Sequence, residues 1–111
     1  MPSKPNSKIL EFKPHPSKLL VLVRSAALDT RNVAFSSHAR QRLELRDISD
    51  LEAIKVLRLG EIKGDIEPGG NRGEWKCKIV APIKGRRDVG VITIILVNGR
   101  LLIKTVEWED L

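Results

Sequence analysis

The chain has 111 residues, of which 41% are hydrophobic and 31% charged, and its formal net charge is +6. This length and apolar content predict one globular domain with its own core and argue against wholesale disorder. The longest aliphatic run, residues 19–23, is far shorter than the roughly 20 apolar residues of a membrane helix. No secretory signal is recognisable at the start. We therefore expect a cytoplasmic protein that does not associate with membranes.

Cysteine and histidine usage bears on redox state and metals. The single Cys77 cannot form an internal disulfide, which fits a reducing compartment. Cys77, His15 and His38 lack the paired spacing of a zinc site, so we expect no metal and no cofactor. Cys77 is predicted to be a buried apolar filler. Trp75 and Trp108 could stack on bases, but packing against the core is the favoured interpretation.

The N-terminal segment is rich in proline. Four of the six prolines lie in the first 16 residues, which predicts a flexible tail over 1–16 and a single domain over 17–111. An apolar segment without proline follows, and it predicts a helix capped by Ser17 and ending near Leu28. Its aliphatic run would also suit a strand.

A short extended piece is predicted at residues 32–35. After it, Ser36 or Ser37 can cap a helix that runs to about Arg46.

The next helix is marked at both ends. Ser49 and Glu52 have the spacing of a capping box, in which each side chain accepts a hydrogen bond from a free backbone N–H. Gly60 is predicted to end the helix. The inward-facing residues are predicted to be Leu51, Ile54 and Leu57.

Beyond Gly60 the apolar period changes to two, which predicts strands. Ile62 and Ile66 mark the first strand. In the second strand Trp75, Cys77, Ile79, Ala81 and Ile83 face one way, and Lys76 and Lys78 the other. Residues 89–97 are apolar on both faces, as in a central strand.

A hairpin is predicted at Asn98-Gly99, a pair typical of a two-residue turn. Such a turn would pair Val97 with Arg100, Thr93 with Lys104, and Ile92 with Thr105. The predicted fold class is α+β, with two or three N-terminal helices packed on one face of a four-stranded antiparallel sheet.

The positive charge is unevenly distributed along the chain. Eight cations and only two acids lie between Arg72 and Lys104, and the rest of the chain is balanced. A basic sheet face would attract phosphate backbones, with the hairpin tip at Lys84, Arg86 and Arg87 in the footprint. The alternative is a solvated surface that only aids solubility.

The second predicted helix carries an unusual stripe. On one side of it lie His38, Arg42 and Arg46. The flanking residues are apolar: Ala39, Leu43 and Leu45. Charges on an inward-leaning face need partners, and two interpretations stay open. The stripe forms ion pairs with Glu107, Glu109 or Asp110, or it binds an anion through the arginines while His38 titrates near neutral pH.

This segment also carries a family resemblance. The pattern His38-Ala39, Arg42 and Arg46, then Ile48-Ser49 opening a helix, and a late strand with Lys104-Thr105-Val106, resembles domain of unknown function 4258 over roughly 19–108. That family is similar to the RelE and ParE toxin-like superfamily, small α+β proteins that include ribonucleases. The resemblance implies a toxin-like, ribonuclease-type fold, with RNA or an antitoxin-like protein as partner.

What the resemblance implies chemically is metal-independent endoribonuclease activity. A base takes the ribose 2′-OH proton, cations stabilise the phosphorane, and an acid protonates the leaving oxygen. The implied catalytic residues are His38, Arg42 and Arg46, with Lys104 and Thr105 binding the phosphate. The chain has no tyrosine, a residue that many toxin relatives use. The alternative is a non-catalytic protein-interaction domain in which the stripe only fixes the helix to the sheet.

Overall fold

The computed structural model describes residues 12–85 and 87–110. The described residues form three α-helices, a 3₁₀ turn (Thr30–Asn32) and one five-stranded sheet. The helices are α1 (Pro16–Ala27), α2 (Ser37–Arg46) and α3 (Asp50–Leu59). The strands are β1 (Val33–Phe35), β2 (Glu61–Pro68), β3 (Trp75–Lys84), β4 (Arg87–Ile95) and β5 (Leu101–Trp108). The class is α+β, as the sequence predicts.

The sheet differs from the predicted four-stranded antiparallel one. Its strand order is β1-β5-β4-β3-β2, and β1 pairs with β5 in parallel, with Phe35 opposite Ile103. The other pairings are antiparallel, and β4 is the central strand, as predicted. The predicted extended piece at 32–35 is therefore a fifth, edge strand. Three residues carry too little periodicity to indicate a partner so far along the chain.

The β4–β5 hairpin has a longer loop than predicted. The N–H of Gly99 donates to the Leu96 carbonyl (2.9 Å), and the N–H of Leu96 donates to the Arg100 carbonyl (2.9 Å). Gly99 has a positive φ of 86°. This is a three-residue loop in which a type I turn is followed by a left-handed glycine. Val97 lies in the loop, so its predicted pairing with Arg100 is wrong.

The register of this hairpin contains a bulge. Thr93 pairs with Ile103, so the predicted pairing with Lys104 is wrong, whereas Ile92 pairs with Thr105 as predicted. The longer loop shifts the register by one residue, and the bulge at Lys104 shifts it back.

The first helix begins earlier than predicted. Its N-cap is His15, whose Nδ1 accepts a hydrogen bond from the Ser17 N–H (3.2 Å), so the prediction of Ser17 as the cap is wrong. Pro16 fits the first turn because that position needs no N–H donor. The regular structure thus starts just before residue 17. Most of the predicted tail, 1–11, lies outside the described residues.

The third helix has the predicted capping box. The Ser49 hydroxyl accepts from the Glu52 N–H (3.0 Å), and the Glu52 carboxylate accepts from the Ser49 N–H (2.8 Å). Leu51 is 67% exposed, so its predicted inward position is wrong. Gly60 ends the helix in an extended conformation. A Cβ there would lie 2.6 Å from the Val80 carbonyl oxygen, so glycine permits the close approach of β3.

The core lies between the helices and one face of the sheet. Helices α1 and α3 pack against each other, α3 packs on β3 and β4, and α2 packs on β5. The strands contribute alternate buried residues to this core, including Cys77, Ile79, Val91, Ile103 and Val106. The intervening residues form what we call the outer face of the sheet. Its members include Lys76, Lys78, Ile92, Thr105 and Glu107.

Candidate nucleic-acid interface

Helix α2 is fastened to β5 at both of its ends. At the start, the Ser36 hydroxyl donates to the Lys104 carbonyl oxygen (3.1 Å). At the end, the Trp108 indole N–H donates to the Arg46 carbonyl oxygen (3.2 Å). The helix therefore runs beside β5 in the same direction, from Lys104 to Trp108. We call this boundary between α2 and β5 the seam.

The predicted stripe lies on α2, and its last member, Arg46, lines a cleft at the end of the seam. His38 is exposed, and Arg42 and Arg46 are half-buried. The buried residues of α2 are Ala39 and Leu43. Leu45, which flanks the stripe on its other side, is 72% exposed. The prediction that this flank leans toward the core is therefore wrong. The stripe therefore borders the core on one side only and remains accessible from solvent.

His38 and Arg42 contact each other. The Arg42 Nε–H donates a hydrogen bond to His38 Nε2 (3.2 Å). His38 Nε2 is thus the acceptor in this contact, a role that an unprotonated ring nitrogen can play. The arrangement places an imidazole directly beside a guanidinium on the surface of α2.

Arg46 borders a cleft at the far end of the seam. The cleft has a volume of about 360 Å³ and is lined by Arg46, Lys78, Glu107, Trp108 and Glu109. Arg46 Nη1 is buried and has no hydrogen-bond partner among the described residues. An unpaired buried donor costs about 1–3 kcal/mol, so the guanidinium of Arg46 carries an unsatisfied donor beside this cleft.

The carboxylates proposed as partners of the stripe are paired with other cations. Glu109 binds Lys78 and Lys63, Glu107 binds Lys78, and Asp110 binds Arg87, at N–O distances of 3.0, 3.2, 3.4 and 3.1 Å. In the part of the chain that the structure describes, no salt bridge involves Arg42 or Arg46. The predicted ion pairs between these carboxylates and the stripe do not form.

The outer face is less basic than the local sequence suggests. Lys76 pairs with Glu67 (3.5 Å), and Lys78 with the two glutamates at the end of the chain. The acids that pair with these lysines lie outside the basic stretch 72–104: Glu67 precedes it, and Glu107 and Glu109 follow it. Lys104, in contrast, is exposed, and Thr105 is half-buried.

The predicted hairpin-tip residues are only partly described. Arg87 pairs with Asp110, and its guanidinium lies 3.9 Å from the centre of the Trp108 ring. Arg86 and the side chain of Lys84 lie outside the described residues.

Proton affinities follow from these contacts. Burial acts to raise the pKa of the Glu109 carboxyl, but hydrogen bonds from Lys78 and Lys63 outweigh burial and hold that pKa below its usual value. The hydrogen bond to Glu109 raises the pKa of Lys78. Both groups are therefore charged at neutral pH. Burial raises the pKa of the Cys77 thiol to about 11, so Cys77 is a poor nucleophile there.

Two further features of the described residues are relevant. They contain no group of three or more His, Cys, Asp or Glu residues arranged to hold a metal. None of their helices is long and apolar enough to span a membrane.

Both tryptophans are half-buried and pack against the core, which agrees with the favoured interpretation of these residues.

Sequence reasoning missed the cluster of Lys63, Lys78 and Glu109. A signal was present, because Lys76 and Lys78 alternate on β3 while Glu107 and Glu109 alternate at the end of β5. Residues two apart share one face of a strand. Opposite charges on two strands of one sheet could thus have been paired, had the register been known.

No protein-family model, no curated protein and no solved structure matches the chain. The resemblance to domain of unknown function 4258 stays a prediction.

Proposed function

We propose that the chain binds RNA through its phosphate backbone along the seam between α2 and β5. The observation that carries the proposal is the contrast between two sets of cations. Lys63, Lys76 and Lys78 of the outer face are paired with carboxylates, whereas Arg42 and Arg46 have no carboxylate partner among the described residues. Cations without such partners are available to phosphate.

The dimensions of the seam favour a strand over a single anion. From His38 to Arg46 the helix rises about 12 Å at 1.5 Å per residue. A row of that length can contact more than one group along an RNA backbone. Lys104 is exposed near the start of the seam, and Thr105 offers a hydroxyl on the outer face. Arginine can bind phosphate with two parallel hydrogen bonds.

Binding is tested by fluorescence-anisotropy titration of a labelled single-stranded RNA at several salt concentrations. The test variant is the double change Arg42→Gln and Arg46→Gln. The matched control is Lys18→Gln with Lys55→Gln, which removes the same charge from exposed positions on α1 and α3.

We expect the test variant to bind more weakly than the control variant. Its salt slope should fall by about 0.7 for each phosphate that it no longer neutralises. Equal weakening in the two variants would mean that only net charge attracts RNA, and it would contradict a site at the seam. Absence of RNA binding by the wild type would favour the protein-interaction hypothesis.

The hydrogen bond between His38 and Arg42 favours RNA cleavage as a second function. In such a reaction the His38 imidazole takes the 2′-OH proton as a base, and O2′ attacks phosphorus. The bond to the 5′-oxygen breaks as that oxygen takes a proton from solvent water, and His38 then returns its own proton to the solvent. Arg42 would turn from the imidazole to the phosphorane oxygens. The products are a 2′,3′-cyclic phosphate and a free 5′-hydroxyl.

Cleavage is tested by incubating RNA with the wild type and with His38→Gln in the presence of a metal chelator. We expect products ending in cyclic phosphate from the wild type alone, with matching melting temperatures for the two proteins. If the folded wild type leaves the RNA intact, the cleavage hypothesis is refuted and only the binding proposal remains.

A further inference from the structure

Two lysines of the outer face converge on one carboxylate. Lys63 lies directly opposite Lys78 in the β2–β3 register, and like charges at such a position repel. The Glu109 carboxylate offsets this repulsion. Lys78 Nζ lies 3.1 and 3.0 Å from its two oxygens, and Lys63 Nζ lies 3.2 Å from the first.

The backbone at Gly90 leaves space for the Glu109 carboxylate. The Glu109 side chain is only 8% exposed. A Cβ added to Gly90 would lie 2.4 Å from Glu109 Oε2, so the absence of a side chain at Gly90 leaves the room that the carboxylate fills. We call Lys63, Lys78 and Gly90 together the anion seat.

The anion seat adjoins the seam. Arg46 from α2 lines the same cleft as Lys78 and Glu109. A phosphate backbone lying along the seam would therefore reach this cleft without leaving the protein surface.

We propose that the anion seat is a second phosphate-binding site, which Glu109 occupies and so withholds from RNA. Its role toward RNA rests on the proposed function, but its affinity for a phosphate group does not. A phosphate presents negatively charged oxygens to the two ammonium groups, as the carboxylate does. A tethered carboxylate competes at an effective concentration of roughly millimolar or higher, so wild-type affinity for phosphate at this seat is suppressed.

The first experiment uses inorganic phosphate and the isosteric variant Glu109→Gln. Phosphate is titrated into the ¹⁵N-labelled protein, and the backbone amides of Lys63, Lys78 and Gly90 are followed by NMR. The control is Glu44→Gln, which makes the same chemical change at an exposed position of α2. A further variant adds Lys78→Met to Glu109→Gln.

We expect saturable shifts at these amides in Glu109→Gln only. The wild type, Glu44→Gln and the Lys78→Met double variant should not respond at the same phosphate concentrations. Absence of saturable shifts in folded Glu109→Gln, or equal shifts in Glu44→Gln, would overturn the proposal.

The second experiment repeats the RNA titration with the same proteins. Glu109→Gln should bind RNA more tightly than Glu44→Gln, with a salt slope steeper by about 0.7 to 1.4 if one or two more phosphates are neutralised. If the wild type binds RNA and Glu109→Gln behaves like Glu44→Gln in both experiments, the anion seat is refuted while the proposed function stands. If none of these proteins binds RNA but Glu109→Gln binds phosphate, the proposed function is refuted while the anion seat stands.

A substitution at a more exposed position serves as a second test in case Glu109→Gln misfolds, which its melting temperature would reveal. Glu107 is 37% exposed and lies 3.4 Å from Lys78. Glu107→Gln should release Lys78 in part and give a smaller gain in the same direction. No gain over Glu44→Gln in a folded Glu107→Gln protein would then count against the proposal.

Discussion

The indole N–H of Trp108 donates a hydrogen bond to the carbonyl oxygen of Arg46, across 3.2 Å. Carbonyls at the end of a helix lack partners within the helix, so this bond satisfies one of them and fixes the end of α2 to β5. The Trp108 ring also lies against the Arg87 guanidinium. One residue of the last strand thus holds the far end of the seam.

Trp108→Phe should therefore destabilise the protein more than Trp75→Phe. The variant keeps an aromatic ring but loses the donor to Arg46, at a cost of about 1 kcal/mol. Trp75 is likewise half-buried and packs against the core, so it controls for the change in ring size. Free energies of unfolding from urea titrations check this. Equal losses would mean that the indole hydrogen bond contributes nothing measurable.

Ser36→Ala should lower the free energy of unfolding by about 1–2 kcal/mol. The Ser36 hydroxyl accepts from the Ala39 N–H (3.0 Å) and donates to the Lys104 carbonyl (3.1 Å). It therefore caps α2 and joins that helix to β5. The control is Ser37→Ala, at the first position of the same helix. A loss as large in Ser37→Ala would refute the special role of Ser36.

Gly90→Ala should displace Glu109 from its lysines. The added Cβ would meet a carboxylate oxygen at 2.4 Å, and overpacking of this kind typically costs about 1–3 kcal/mol. Gly70→Ala is the control, because its Cβ would meet only Glu74 Oε1, at 3.9 Å. Chemical denaturation compares the two variants. A Gly90→Ala protein as stable as Gly70→Ala would show that Glu109 has no need of this space.

Stability should depend on pH through the Glu109–Lys78 pair. Because the pKa of Glu109 is held below its ordinary 4.5, its contribution is present above that value and is lost as pH falls through the lower folded pKa. Because the pKa of Lys78 is raised, its contribution is lost only as pH rises through that higher value.

The check is the difference in unfolding free energy between the wild type and Glu109→Gln, measured across pH. The wild type should be the more stable near neutral pH, and the difference should shrink as the pH falls below the ordinary glutamate pKa of 4.5. A difference that stays constant through the acidic range would show that the carboxylate charge does not contribute.

Local signals in the sequence sufficed for much of the fold. The Ser49 capping box depends on residues three apart, so the sequence alone indicates it. For α2 the sequence left Ser36 and Ser37 as alternatives, and the structure has Ser36 as the cap. The pairing of β1 with β5 depends on residues far apart in the chain, which no local pattern reports. The hairpin loop that ends at Gly99 has three residues, one more than the Asn-Gly pair predicts. The extra residue changes the partner of Thr93 from Lys104 to Ile103.

The candidate site was predictable only in part. Helical spacing placed His38, Arg42 and Arg46 on one side of α2, where the structure also has them. The pairing of Lys63 with Glu109 joins β2 to the end of β5. Predicting it requires the order of four strands and the irregular register between Lys63 and Glu67, which composition and spacing do not supply.

The most direct test of RNA binding at the seam is an NMR titration of the ¹⁵N-labelled wild type with a short single-stranded RNA. We predict that the largest salt-sensitive shifts fall on the amides of α2 and of β5 from Lys104 to Trp108. Amides of α1 and of the exposed β2 edge should change little. Shifts concentrated on α1 or β2, or no shifts at low salt, would contradict binding at the seam.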